Sequence, residues 1–512
     1  MSKRLIMVLA LALVFGVTCA AYAEVQNVKV SGDITVMGVY RNNFDFTKSP
    51  AAGTNAAGAV TTYENNYSDQ REYLASITRV RLDADLTDNV SATVRLLNER
   101  AWNGDSTQDS SGGNQNINLN VPSASYMDEL QIDLDLAYIT AKEFLYSPLT
   151  LMVGRQELHF GNDFIIGDPD TNGIALRSRL PDGDLSSRKA FDAVRATLDY
   201  DPLVVDIIYA KIAEGVEKRN DDTTLTGLNA RYGLRADTTL EGYFFAKLRG
   251  SKNAAVTNAA GYSFSGKEKP DKVYTIGGRV VNNTLKNLTI DAQAGYQFGD
   301  YNPAFDVNAN QFAETSHRSA WAAEVIGTYD LKDVKMIGKY SPTFSAIYAA
   351  FSGNSRENGG EKSYGGWDPM FENQTLGHII NGTMAFGNAH FVGASLKAKP
   401  MDDVTVKLDG VGVWVMKRLT DGRLYSLSGV NGSRSFYMAK NPHIGSEVDV
   451  TLTYDYTEDV QLSLLGGVFF PGKAISRSST AGDDPAGSGT QGRNSGLKST
   501  ATEVIGSMKV TF

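Results

Sequence analysis

Between Leu288 and Phe298 every second side chain is apolar, and those in between are polar or glycine. The same alternation runs through Leu228–Arg235 and Ile444–Asp455. A period of two sustained over such lengths predicts a β-strand with one apolar and one wet face. Strands of soluble sandwiches usually stop at about 5–6 residues. Spans of about 9–11 residues or more suit a tilted strand that crosses a bilayer. Eighteen such segments are predicted, beginning near Val28, Tyr73, Val90, Leu130, Leu149, Phe191, Leu203, Leu225, Thr239, Lys272, Asn287, Ser319, Thr343, Ala389, Val404, His443, Val460 and Thr500.

The connections alternate in length. Long Gly/Asn/Ser-rich loops (42–72, 102–129, 158–190, 249–271, 299–317, 352–388, 419–442, 471–499) take turns with tight ones such as Thr87-Asp88-Asn89, Asp201-Pro202, Ala236-Asp237-Thr238 and Thr457-Glu458-Asp459. Long loops outside and short turns in the periplasm are how outer-membrane barrels are connected. The predicted fold is all-β: a transmembrane, antiparallel up-and-down barrel of about 18 strands, with both termini on the periplasmic side. The expected location is the bacterial outer membrane, in contact with lipid and lipopolysaccharide.

The two chain ends fit this fold. Lys3 and Arg4, the apolar run Leu5–Val17 and the small residues of Ala21-Tyr22-Ala23 read as a signal peptide over 1–23, cut before Glu24. A lipoprotein anchored through Cys19 is the alternative, with Gly16-Val17-Thr18 a poor match to the lipid-attachment pattern. Cleavage leaves 24–512 as a single barrel domain without cysteine and takes the net charge from −9 to −11. The last strand ends on Phe512, with Val504, Met508 and Val510 on the same face. This resembles the terminal-strand signal read by the outer-membrane assembly machinery, an expected partner.

Composition narrows the classes further. The 512 residues include 50 Gly, 24 Tyr, 22 Phe, only 14 Pro and a single Cys, with 42% hydrophobic residues and a net charge of −9. That balance excludes a disulfide scaffold, a basic nucleic-acid binder and a disordered chain.

Several segments resemble the alginate-export family of outer-membrane proteins. They are Gly154-Arg155-Gln156-Glu157-Leu158 with Phe191-Asp192-Ala193-Val194-Arg195, then His443–Asp449 and Gly466–Gly472, and at the start Val30–Ile34 and Arg79–Leu82. The resemblance runs from the first strand to the last, with 200–390 matching by pattern alone. It implies an eighteen-stranded barrel, in agreement with the strand count, and a channel that passes an anionic polysaccharide.

Alternation then places Arg79, Arg81, Arg95, Arg195, Arg231, Arg235, Arg279, Lys247, Lys407 and Lys509 on the wet face. Arg155 joins them only if a bulge follows Gly154, because Val153 has the same parity. Arginine suits a carboxylated chain, since its planar fork can grip a carboxylate bidentately. The same face also carries Asp83, Asp85, Glu99, Asp133, Asp135, Asp199, Glu241, Asp291, Asp409, Glu447, Asp449 and Asp455. Cross-strand pairing with these would neutralise the wall. The expected function is therefore an outer-membrane channel for an anionic polysaccharide or other anionic solute. A general or other-solute porin, or a barrel whose loops mediate adhesion, are the alternatives.

Loop 158–190 is a candidate constriction. It contains Asp168-Pro169-Asp170-Thr171-Asn172-Gly173, half of a calcium-loop pattern, but its twelfth position is Arg179 where a glutamate belongs. Asp168, Asp170 and Asn172 are the candidate calcium ligands, against an Asx-rich turn; no other cofactor is expected. In loop 352–388, Tyr364, Trp367 and Phe371 read either as a sugar-stacking set or as part of the aromatic girdle. Gly487–Gly492 matches G-x-G-x-x-G with no helix after it, and no zinc, H-E-x-x-H or G-x-S-x-G pattern occurs. Catalysis is not expected.

Overall fold

The computed structural model describes residues 27–512 apart from 45, 47–51, 55–59, 63–69, 103–131, 170–179, 215–220, 252, 258–262, 268, 303–314, 356–361, 419–423, 430–431, 439–440 and 479–498. The predicted signal peptide with Cys19 and the 487–492 glycine motif lie outside the described residues.

Eighteen strands make one closed wall. The first nine are β1 (Asn27–Asn42), β2 (Gln70–Thr87), β3 (Val90–Ala101), β4 (Asp133–Ala141), β5 (Leu149–Glu157), β6 (Ala190–Asp199), β7 (Leu203–Ala213), β8 (Thr223–Arg235) and β9 (Thr238–Arg249). The rest are β10 (Asp271–Asn282), β11 (Leu288–Tyr301), β12 (Ser316–Asp330), β13 (Thr343–Phe351), β14 (Ala389–Met401), β15 (Val404–Val415), β16 (His443–Asp455), β17 (Val460–Pro471) and β18 (Ala501–Thr511). Every predicted strand starts within three residues of its expected position.

Each strand pairs antiparallel with its neighbour in sequence, and β1 pairs with both β2 and β18, from Asp33↔Thr511 to Asn42↔Thr502. Closure removes the sheet edge, which a bilayer requires of any strand-built span because lipid satisfies no backbone hydrogen bond. At the seam, the Gly32 amide donates to the Phe512 carbonyl at 2.8 Å, and the Phe512 amide returns the bond at 3.0 Å. A Cβ on Gly32 would sit 2.5 Å from the Arg79 carbonyl and 2.7 Å from the Phe512 ring, so only glycine fits there.

The outer face is apolar and open, with Ile276, Leu464, Val392 and Val448 all exposed. So broad an apolar band is foreign to a soluble monomer and is the lipid contact. Aromatic residues edge it: Tyr274 and Phe298, register partners on β10 and β11, stack with ring centroids 5.4 Å apart.

The end that carries the short turns also carries Asn27 and Thr511 and is the periplasmic end. One connection there is longer than expected: 331–342 spans twelve residues and holds a short 3-10 turn, Gly338–Tyr340, with Val334, Met336 and Ile337 exposed.

Candidate functional site: a lumen divided by two inserted loops

In the extracellular half the inward face of the wall is apolar rather than wet. Phe191, Phe245, Val273, Phe351, Phe391, Val413 and Phe469 all point inward and are buried. Two loops supply most of what covers them, and Phe46 of the loop after β1 packs on Phe469 with ring centroids 4.9 Å apart. The loop after β5 contributes Leu158, Phe160, Phe164, Ile165 and Ile166, and the loop after β13 contributes Trp367, Met370, Phe371, Phe386 and, from the short helix α1 (His378–Thr383), Ile379 and Ile380. Ring contacts join loop to wall: Phe160–Phe245 at 5.6 Å, Phe164–Phe351 at 5.6 Å, and Phe191–Phe371 edge-on at 6.0 Å. Trp367 and Phe371 thus lie in the lumen, not in the girdle. The described parts of loops 158–190 and 352–388 enter the barrel together.

The two loops also pair with each other. Phe371 donates its amide to Ile165 and accepts from the amides of Gly167 and Asp168, while the Asn373 amide reaches Asp163. These bonds satisfy backbone groups that a dry interior would otherwise leave bare.

Polar clamps hold this plug to the wall. The Glu324 carboxylate of β12 accepts hydrogen bonds from Asn162 at 2.6 Å, Gln293 at 2.9 Å and Gln374 at 2.9 Å, drawing both loops to one point. Arg41 of β1, only 2% exposed, meets Asp184 and Glu503 at 2.6 Å each and Asp182 at 3.3 Å. Asp182 takes Arg71 and the Tyr73 hydroxyl as well. Arg188 bonds Glu99 and Asp133. On the far side Glu447 of β16 accepts the amides of Ile379 and Ile380, which open α1 and have no partner within it.

Eight of the eleven predicted path cations, Arg155 included, are paired with acids. Arg79 meets its register partner Asp33 at 2.9 Å, Arg81 meets Asp83 at 2.8 Å, and Arg195 meets Asp206 at 2.8 Å. Arg279 holds Asp291 at 2.6 Å and Glu241 at 3.4 Å. Arg95 binds Asp135 and Glu157, Lys407 binds Asp409, and Lys247 binds Asp368 of the inserted loop. The eighth, Arg155, is not in the lumen row. Its pairing with β6 runs from Leu149 to Glu157 without a shift, so no bulge follows Gly154 and Arg155 keeps the parity of Val153. It meets Asp192, whose side chain is 58% exposed.

Arg231 and Arg235 have no carboxylate within 4.0 Å among the described residues, and neither have Lys29, Lys397 and Lys509. All five lie toward the periplasmic ends of β1, β8, β14 and β18; Lys29, Arg231, Lys397 and Lys509 have the lumen parity of their strands, while a register shift between Gly233 and Arg235 pairs Arg235 with Thr238, on the outward row of β9. Lys29 and Lys397 were not among the sequence candidates, although the alternation rule would have found them. The lumen is thus two regions: an extracellular half filled by clamped loops, and a periplasmic half with a partly neutralised, partly cationic wall.

Within the loops the charges are tuned by burial. Burial pushes the Glu372 carboxyl up to about 8, with Asp168 and Asp163 adding to the effect against the Gln374 amide and Lys189. Burial also works against Asp368, but Lys247 and Arg318 outweigh it and hold its carboxylate below the ordinary range. Of the candidate calcium ligands, Asp168 is fully buried and bound by Lys189; Asp170 and Asn172 lie outside the described residues.

A closed barrel with a lipid-facing apolar band and a lumen narrowed by inserted loops is an outer-membrane channel. The chain belongs to the alginate-export family, whose model matches residues 54–486. Its fold is similar to that of a BenF-like porin from Pseudomonas fluorescens Pf-5, with a TM-score of 0.52, 9% identity and coverage of 95% of this chain and 100% of that one. It is similar also to OccAB1 of Acinetobacter baumannii, with a TM-score of 0.51, 12% identity and coverage of 96% and 99%. A comparison with curated proteins returned no match.

Proposed function

We propose that this channel passes an anionic polysaccharide or another anionic solute. The observation that carries the proposal is the set of cations without a carboxylate partner among the described residues that face the periplasmic half of the lumen, Lys29, Arg231, Lys397 and Lys509. A carboxylate arriving there meets free charge. Further in, it meets Arg79 and Arg81, whose part-exposed ion pairs can exchange a wall aspartate for a solute carboxylate because such pairs are weakly held in water. Many weak sites favour passage over capture.

The paired wall favours a second reading, a general porin of low selectivity. Reversal potential of the reconstituted protein in a salt gradient, followed by addition of oligouronates, separates the two. Anion selectivity with concentration-dependent block supports the proposal; cation selectivity without block leaves the general porin. The assembly-machinery role of the strand ending at Phe512 and a calcium clip at Asp168, Asp170 and Asn172 are separate proposals. Chelator titration of the folded protein tests the second.

A further inference from the structure

The extracellular ends of β8 to β12 and the inserted loop 352–388 enclose a cavity of about 660 Å³. Its lining includes Lys247, Asp271, Tyr301, Arg318, Tyr364 and Trp367. The volume falls in the range of small-molecule sites, about 300–1,000 Å³. No clamp described above needs this space.

Arg318 is the unusual member. Its side chain is 3% exposed, yet its contacts are few: one terminal N–H donates to the Gly366 carbonyl at 3.3 Å and the other to Asp271 at a long 3.5 Å. Among the described residues its Nε has no hydrogen-bond partner, and the indole Nε1 of Trp367, also buried, has none either. A guanidinium carries five N–H donors, and leaving them unsatisfied away from water is costly. Two under-used donors on the lining of one cavity point to an acceptor that arrives from elsewhere.

The rest of the lining says what shape that acceptor has. Tyr301 and Tyr364 stack face to face, 3.5 Å apart and 6° from parallel, with the Arg318 guanidinium 5.2 Å and 5.4 Å from the two ring centres. Together with Trp367 they make a flat, apolar wall beside a buried cation. Of the other cations on the lining, Lys247 is matched by Asp368 and Arg249 donates to the Asn302 carbonyl at 2.9 Å, which leaves Arg318 as the cation with capacity to spare.

We infer that this cavity is a recognition site for a single ring bearing a carboxylate, presented from the extracellular side. The ring lies on the tyrosine and tryptophan faces, and the carboxylate takes the donors of Arg318 and Trp367. The chemistry is shared by a free hexuronate and by a monocyclic aromatic acid. The site stands independently of whether the lumen selects anions, because it concerns a monomer met outside.

Calorimetric titration of the folded protein in detergent with galacturonate, benzoate and galactose tests it. Saturable binding of galacturonate or benzoate is expected, with galactose at least about tenfold weaker; the stronger of the two acids names the source. Trp367→Phe removes one donor and keeps the ring, and Tyr364→Ala removes part of the wall. Each should weaken binding by about tenfold, the scale of one hydrogen bond or one stacking face, while heat-modifiable migration reports an intact barrel. Should Trp367→Phe not fold, Tyr364→Ala carries the test. Absence of saturation by either acid, galactose equal to galacturonate, or variants that bind like the parent would overturn the inference.

Discussion

Ile166 and Phe371 face each other as an isolated parallel bridge, 205 residues apart in sequence, at the point where the two inserted loops cross. Neither belongs to the wall. The contact therefore decides how the lumen is filled without deciding whether the barrel forms.

Phe371→Ala removes a buried ring at that crossing, a change that costs about 3–5 kcal/mol in a packed interior. The cost falls on loop packing, since none of the wall's strand pairings involves Phe371. Single-channel conductance should rise or flicker while the folded barrel keeps its heat-modifiable migration. Conductance equal to the parent would place the ion path away from the plug.

Arg41 balances three carboxylates at the other edge of the plug. Arg41→Met would leave Asp182, Asp184 and Glu503 buried with their main counter-charge gone, a loss of about 3–5 kcal/mol. Hydrogen exchange should accelerate at residues 182–188 and stay slow in β7 to β10. Adding Asp182→Asn and Asp184→Asn to the same chain should restore part of the protection.

Glu372 holds its proton more tightly within the loop pair than a free carboxyl does. Between about 4.3, the ordinary glutamate value, and about 8, each rise in pH therefore loosens the packing, and above about 8 the loss is complete. The span is on the order of a few kcal/mol. Exchange of the amides of residues 165–168 should be faster at pH 9 than at pH 5. Glu372→Gln should flatten that dependence.

Selectivity should follow unpaired charge, not the number of arginines. Arg231→Ala deletes a free cation and should move the reversal potential toward cations. Asp33→Asn should move it the other way by releasing Arg79. Equal and opposite shifts of a few millivolts would fit two exposed lumen charges acting through water. No shift from either would remove the periplasmic half from the selectivity path.

The wall was legible in the sequence because each strand carries its own two-residue period, and lipid rewards it locally. The plug was not. Phe245 and Phe469 break the rule that inward means polar, and what makes them fit is a loop more than 80 residues away in each case. Arg41 and Glu503 are separated by 462 positions and Asp163 and Asn373 by 210, so no local pattern announces either contact. Parity did settle Arg155: the run Val153-Gly154-Arg155 already placed it on Val153's face, and the uninterrupted pairing with β6 keeps it there. Pairing was legible only as a risk: Asp83, Asp135, Asp291 and Asp409, which meet Arg81, Arg95, Arg279 and Lys407, were among the acids the alternation put on their face, but Asp33 and Asp206, which meet Arg79 and Arg195, were not.

The reciprocal bonds between Gly32 and Phe512 set an order of events. The chain's first strand offers half of a bond pattern whose other half is made last, nearly five hundred residues later. Until then β1 and β17 each present a bare row of donors and acceptors, the kind of edge that recruits any strand nearby. The eleven-residue β18 is what turns a ribbon with two bare edges into a cylinder with none.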